Sequence, residues 1–267
     1  MKKMKKITSI NVTNNYVQIN LSDASAYKIS DNDYFDFKYK ANDPVDLELE
    51  NQLKQQANYH AGYMSSLNKL KYKDRTEYEI RAHLYDDFKL LKNEVDAILD
   101  KLIYYDFIND DRYTKDLIEN NQLKYYGYNK IKSNLIKVYI NSNRISEFLV
   151  YNYEVEYDLA FEFASKTLNS IKNKTKIQTE NTLKQKLVYR GFNSDVINNV
   201  VSALEVSVDS DIEYGLLIKE YTKAERRYSR KYSDYELKTR IINFLLSKGY
   251  NYSMVQTVME EMEKEND

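Results

Sequence analysis

Cations crowd one stretch of this sequence: Lys223, Arg226, Arg227, Arg230 and Lys231, with Tyr221, Tyr228 and Tyr232 interleaved. Ammonium and guanidinium groups in such a set can contact phosphates while the rings stack on bases. The same set can meet an acidic protein surface through steering and arginine hydrogen bonds. A solvated charged helix face is the third reading. Looser groups lie upstream, at Lys124, Lys130, Lys132 and Lys137, and at Lys184, Lys186 and Arg190. These cations, Lys124 apart, are the candidate partner-binding residues.

Nothing comparable points to catalysis. The sequence has no GxSxG, no phosphate-binding glycine loop, no HExxH and no GxGxxG. It has no cysteine, which excludes disulfides, thiolate zinc sites and cysteine nucleophiles. Only two histidines exist, His60 and His83, isolated from each other and read as surface or boundary residues. The acidic pairs Asp86-Asp87 and Asp110-Asp111 read as helix caps at turns rather than magnesium ligands. In Asn109-Asp110-Asp111-Arg112-Tyr113, Asp110 fits an N-cap, and Arg112 is expected to form an ion pair joining two repeats. A non-enzymatic protein without metal or cofactor is the expectation.

The 267 residues carry 40 Lys plus Arg against 41 Asp plus Glu, so no global field draws the chain to nucleic acid or an anionic membrane. No apolar run approaches the ~20 residues of a membrane span. The basic start Met1-Lys2-Lys3-Met4-Lys5-Lys6 leads into Ile7-Thr8-Ser9-Ile10-Asn11, not into the apolar core of a signal peptide, and a cytoplasmic setting is expected. One proline and five glycines favour long helices over a turn-rich β fold.

The elements that must position these residues follow from periodicity. Ile10 and Val12, then Val17, Ile19 and Leu21, alternate at period two around Asn14-Asn15, which predicts a hairpin; Tyr27 and Ile29 suggest a third strand. Ser30 to Asp33 can cap a short helix bearing Tyr34, Phe35 and Phe37, and Pro44 marks a boundary. From Val45 the spacing is helical, and one phrase recurs at about 50–60 residues: an amphipathic run, a turn, an apolar residue, then a second run. Taking the apolar residue after the turn as reference places Phe88, Ile140, Phe192 and Tyr250 in register, with Gly191 and Gly249 as left-handed caps in the last two copies. The preceding helices are predicted over Asp111–Lys124, Tyr157–Lys172 and Ile212–Arg230.

The fold class is therefore mainly α: tandem three-helix repeats forming an elongated, curved array, with a small β-containing N-terminal module. The expected domains are residues 1–45 for the β module, 46–108 for a linker helix and first repeat, then 109–156, 157–208 and 209–267.

Several phrases, in order, resemble the RecX family of bacterial recombinase regulators. Asp74-Arg75-Thr76-Glu77-Tyr78-Glu79-Ile80-Arg81-Ala82-His83-Leu84 is similar to the family's R-[ST]-x-x-E-[IL]-x-x-x-L segment, carried by Arg75, Glu79 and Leu84. Asp106-Phe107-Ile108-Asn109-Asp110-Asp111-Arg112-Tyr113 is similar to its G-[YLF]-[IL]-[DN]-D-x-[RA]-[FY] segment, with Asp106 in place of glycine. Tyr126-Gly127-Tyr128-Asn129-Lys130-Ile131-Lys132-Ser133-Asn134-Leu135 resembles [KR]-G-x-x-[KR]-[IL]-x-x-x-L through Gly127, Ile131 and Leu135, with Tyr126 in place of a basic residue. Lys186-Leu187-Val188-Tyr189-Arg190-Gly191-Phe192 resembles K-L-x-x-[KR]-G-[FY].

The likeness covers nearly the whole chain, as in the longer Gram-positive-type members. It implies a non-enzymatic modulator that lodges in the groove of the RecA filament on single-stranded DNA; a monomer is the separate expectation. Such a protein inhibits strand exchange and ATP hydrolysis and bears on recombination and the SOS response. Direct DNA binding by a helical-repeat protein is the alternative, and a scaffold for another partner is a third possibility.

Overall fold

A computed structural model describes residues 4–266; the first three residues of the basic start lie outside them. The chain opens with β1 (Lys5–Val12), β2 (Val17–Leu21) and β3 (Ala26–Ile29), followed by α1 (Asp31–Phe37) and the two-residue β4 (Pro44–Val45). They form an antiparallel sheet of order β3-β2-β1-β4. Alternation buries Val17, Ile19, Leu21 and Ile29. Val12, expected on the same buried face, is 64% exposed at the hairpin end, and the β1–β2 register shifts between Ile7 and Ser9. Ser30 caps α1 through the Asp33 N–H. Pro44, which lacks an N–H, sits in an edge strand beside Lys6.

Asp46 caps the long helix α2 (Leu47–Tyr72). Its first half places Leu53 in the core of the sheet, while Tyr59, Tyr63, Leu67 and Leu70 in its second half pack against a separate helical cluster. That cluster is completed by α3 (Glu77–Phe88) and α4 (Lys92–Tyr104).

The remaining helices are α5 (Asp110–Gln122), α6 (Tyr128–Lys137), α7 (Ser142–Phe148), α8 (Tyr153–Leu168), α9 (Lys176–Arg190), α10 (Ser194–Ala203), α11 (Ser210–Tyr228), α12 (Asp234–Ser247) and α13 (Tyr252–Asn266). The chain is mainly α, built of successive helix triplets behind a small β module. One helix starts well before its predicted bound: α8 begins at Tyr153 because Asn152 accepts the Val155 N–H and caps it.

Packing divides the chain into two compact units. One runs to Leu117 and includes Leu135–Phe148; the other comprises Ile118–Asn134 and the chain from Leu149. In the second unit Leu183, Leu187, Phe192, Val196 and Val200 share one core, and Leu217, Leu245, Tyr250, Val255 and Val258 another. No described helix is long and apolar enough to cross a membrane.

The repeat register needs one correction. In the first copy the buried residue after the turn is Leu90, whereas Phe88 is the last residue of α3. Lys89 takes the left-handed conformation (φ 52°), as do Tyr139 (φ 59°), Gly191 (φ 82°) and Gly249 (φ 91°) at the equivalent turns. Without a glycine signal, and with one residue more between Leu84 and the turn, the sequence pointed to the wrong aromatic.

Candidate partner-binding surface

The second unit brings two of the candidate cations together through a pair of glycines. α9 ends at Arg190, and Gly191 closes it by donating its N–H to the Leu187 and Val188 carbonyls. The first turn of α6 docks on this end: the Gly127 N–H donates to the Arg190 carbonyl (2.9 Å) and the Asn129 N–H to the Gly191 carbonyl (3.1 Å). Orphan donors at one helix start thus meet orphan acceptors at another's end, with the helix dipoles aligned favourably. A Cβ on Gly127 would stand 2.7 Å from Phe192 Cδ1, and one on Gly191 2.5 Å from the Lys130 backbone nitrogen. Both positions require glycine for that approach.

The side chains beside this joint form a cationic and aromatic cluster. The Arg190 guanidinium lies 5.2 Å from the Tyr126 ring centre and 4.6 Å from that of Phe163, and donates to the Lys124 carbonyl. Lys130 Nζ stands 5.2 Å from the Tyr189 ring and 5.9 Å from that of Tyr126. Lys166 faces the Tyr125 ring and bonds both its hydroxyl and Glu162. Glu162 is held below the usual carboxylate range by these Lys166 and Tyr125 hydrogen bonds. Each ring contact contributes about 0.5–1 kcal/mol at an exposed site, enough to bias rotamers without quenching the charge. Phe163, Tyr125 and Lys166 carry no motif, and sequence reasoning missed them.

The other candidate cations are not brought into this cluster by any described contact. Lys132 lies 5.9 Å from the Tyr128 ring. Lys186 is exposed and shares a face of α9 with Arg190, while Lys184 is half-buried. Lys137 is exposed and belongs to the first unit. In the last triplet Lys223 is compensated by Glu220 (2.8 Å), and Arg227 rests 5.5 Å from the Tyr228 ring. Arg226, Arg230 and Lys231 are exposed. Tyr221, expected among the stacking rings, is instead buried in the core, so its face is closed to a base.

The motif residues serve local architecture. Thr76 accepts the Glu79 N–H, Glu79 accepts the Thr76 N–H, and Arg75 donates to Glu79, a capping box opening α3 above the buried Leu84. The Thr76 hydroxyl donates to the Val138 carbonyl at the end of α6 (3.1 Å). Ile131 and Leu135 are core residues.

Asp110 is not the N-cap of α5: Asn109 accepts the Arg112 N–H (2.9 Å), and Asp110 accepts the Glu77 N–H at the start of α3 (2.9 Å). Asn109 immediately precedes the first helical residue, which is Asp110 itself, and this leaves the Asp110 carboxylate to cap a neighbouring helix. Burial pushes the Asp110 carboxyl up, although the Glu77 N–H and Arg144 oppose it. Asp111 pairs with Arg144, and Arg112 with Asp106 (2.5 Å), which itself holds φ 56° where the family phrase has glycine. Tyr113 is half-buried.

Glu156, which no motif marked, plays the Asp110 part in the second unit. It accepts the Asn193 N–H (3.1 Å) and amide, and the Tyr128 N–H at the start of α6, while burial pushes its carboxyl up.

Asp86 and Asp87 are not caps either. They lie in the last turn of α3, where Asp87 binds His83 Nδ1 (2.6 Å) and Ser65 holds the ring's other nitrogen.

Comparison with known proteins follows the same lines. The family description "RecX, third three-helix domain" matches residues 211–259. A "Regulatory protein RecX" from Streptococcus agalactiae is 29% identical over 262 residues, covering 96% of this chain and 99% of the relative. One from Lactococcus lactis subsp. cremoris is 27% identical over 265 residues, covering 97% and 98%. A crystal structure titled as regulatory protein RecX aligns over 73% of this chain and 98% of its own, with a TM-score of 0.58 at 22% identity, a likeness of fold.

Proposed function

We propose, from the premise that this chain belongs to the RecX family of regulatory proteins, that it binds the RecA filament on single-stranded DNA and restrains strand exchange and ATP hydrolysis. It acts by binding rather than by chemistry, as a cytoplasmic monomer. The observation that supports this reading best is the Arg190–Lys130 cluster, in which cations are held on rings beside a two-glycine joint. In a chain of net charge −1, such a local patch suits an acidic groove wall better than bare DNA.

The test is filament ATPase and strand exchange with added protein, at concentrations where cosedimentation shows the filament saturated. Full rates at saturation reject inhibition. Lys186→Glu and Tyr189→Ala, both at exposed positions, are expected to weaken cosedimentation about tenfold with helical content unchanged.

A second reading, direct binding of single-stranded DNA, draws on exposed Arg226, Arg230 and Lys231 beside Tyr228 and Tyr232. Submicromolar binding with a steep salt slope and no need for RecA favours it.

A further inference from the structure

The first unit holds a cavity of about 560 Å³ that the regulatory reading leaves without a role. Its walls come from the segment around α1, from the middle of α2 and from α4. The volume lies within the range of small-ligand pockets. Three carboxylates line it, Asp31, Asp33 and Glu94, against one cation, Lys101. The rings of Tyr59 and Tyr63 supply aromatic faces, and the Gln52 and Gln55 amides supply further polar groups. One ring already receives a cation: Lys101 Nζ stands 4.4 Å from the Tyr63 centre.

His60 gives the independent observation. Its side chain belongs to a residue only 9% exposed, it lines the cavity, and no described residue offers it a hydrogen bond. Its ring nitrogens are not sealed in, so they are satisfied by whatever fills the cavity they line. The other histidine shows the contrast, with both ring nitrogens engaged by Ser65 and Asp87. Burial pulls the His60 pKa down against the opposing fields of Asp33 and Asp31, so near neutral pH the ring is uncharged and one nitrogen is an acceptor.

We propose that this cavity binds a guanidinium group, either the arginine side chain of a partner protein or free arginine. A planar cation with five forked donors matches carboxylates, amide oxygens and a neutral imidazole, and it stacks on tyrosine as a compact ammonium does not. The inference stands apart from the RecA reading, since no residue of the cationic cluster takes part.

Two histidines make the test direct. Their ring signals are followed by NMR in the full-length protein during titration with methylguanidinium, with its neutral isostere methylurea, with free L-arginine, and with an end-blocked Gly-Arg-Gly peptide. A saturable shift of the His60 signal with methylguanidinium, absent with methylurea and with His83 unmoved, is the expected result. Preference for the peptide assigns the ligand to a partner side chain, and preference for free arginine assigns it to the small molecule. Glu94→Gln, which retains an oxygen for the Leu91 N–H, weakens binding about tenfold, and Asp31→Asn does so severalfold. Lys101→Met removes the competing cation and tightens it. Equal response to methylurea, no saturable shift of His60, or full affinity in Glu94→Gln overturns the proposal.

Discussion

Replacing Gly191 by alanine tests the two-glycine joint most directly. Gly191 has φ 82°, a conformation that costs an L-residue about 1–2 kcal/mol. Tyr139 and Lys89 bear that cost at the equivalent turns, so conformation alone does not demand glycine. The added demand is space: a new Cβ stands 2.5 Å from both the Lys130 nitrogen and Cβ. Backbone cannot turn aside as a side chain can, and overpacking of this kind costs about 1–3 kcal/mol. The sum, about 2–4 kcal/mol, lowers the melting temperature by roughly 2–4 °C per kcal/mol for a protein of this size.

Two internal controls bracket the result. Gly249 has φ 91°, and its added Cβ stands 2.8 Å from the Ile177 Cβ, a wider approach than at Gly191 and to a side-chain atom rather than to backbone, so Gly249→Ala is expected to cost less. Gly215 lies inside α11 with no heavy atom within 4 Å of an added Cβ, so Gly215→Ala stabilises by about 1 kcal/mol. Scanning calorimetry of the three variants gives the order. A Gly191→Ala transition within 1 °C of the parent (roughly the noise of such a shift), or a Gly249→Ala loss exceeding it, refutes the argument that backbone approach sets the requirement.

Phe192→Ala removes a ring that is 4% exposed and should cost about 3–5 kcal/mol, read by urea denaturation. Asp110→Ala and Glu156→Ala each strip a neighbouring helix of its acceptor and are expected to cost about 1–3 kcal/mol, while the asparagine or glutamine variants, which keep an oxygen, lose less. Glu50, hydrogen-bonded to Lys5 and Lys54, has its pKa lowered to about 2. Its contribution is therefore present above the ordinary glutamate pKa and is lost as pH falls toward 2, so Glu50→Gln flattens the decline in urea midpoint between about pH 5 and 2. Triple charge reversal at Arg226, Arg227 and Arg230, all exposed, should weaken partner binding with the circular dichroism spectrum unchanged; unaltered binding moves the interface off this segment.

The helix triplets were legible because their buried apolar residues recur three or four apart, as in Val95, Ile98 and Leu102, in Val196 and Val200, and in Val255 and Val258. The hairpin was legible through Val17, Ile19 and Leu21, but Val12 was not placed, since alternation does not say where a sheet ceases to be covered. The first copy slipped from Leu90 to Phe88 because both are apolar and the left-handed residue between them is a lysine. The cap of α5 slipped from Asn109 to Asp110 for a related reason: both side chains accept N–H groups, and only three-dimensional packing reveals that Asp110 serves α3. Within the candidate surface, Lys130 and Arg190 were recognisable as cations, yet the rings of Phe163 and Tyr126 that hold the guanidinium come from separate turns.

These particulars explain how the repeats can drift in sequence while the triplet persists. Each unit solves the same physical problem, unsatisfied N–H groups at the start of a triplet's second helix, with whatever neighbour is available. In the first unit Asp110 accepts from Glu77, and Thr76 accepts from Glu79. In the second, Glu156 accepts from Tyr128, the Gly127 and Asn129 N–H groups use the Arg190 and Gly191 carbonyls, and the Gln178 N–H uses the Thr175 hydroxyl. An aspartate or glutamate, a threonine hydroxyl or a backbone carbonyl all satisfy the requirement, so no single residue type is obligatory. Glycine becomes obligatory only where backbone crosses backbone, at Gly127 and Gly191, and there the joint also fixes Lys130 beside Arg190. The most constrained joint is thus the one that carries the cationic cluster, and a change in either glycine is expected to alter stability and partner binding together, whereas loss of the Lys130 charge alters binding alone.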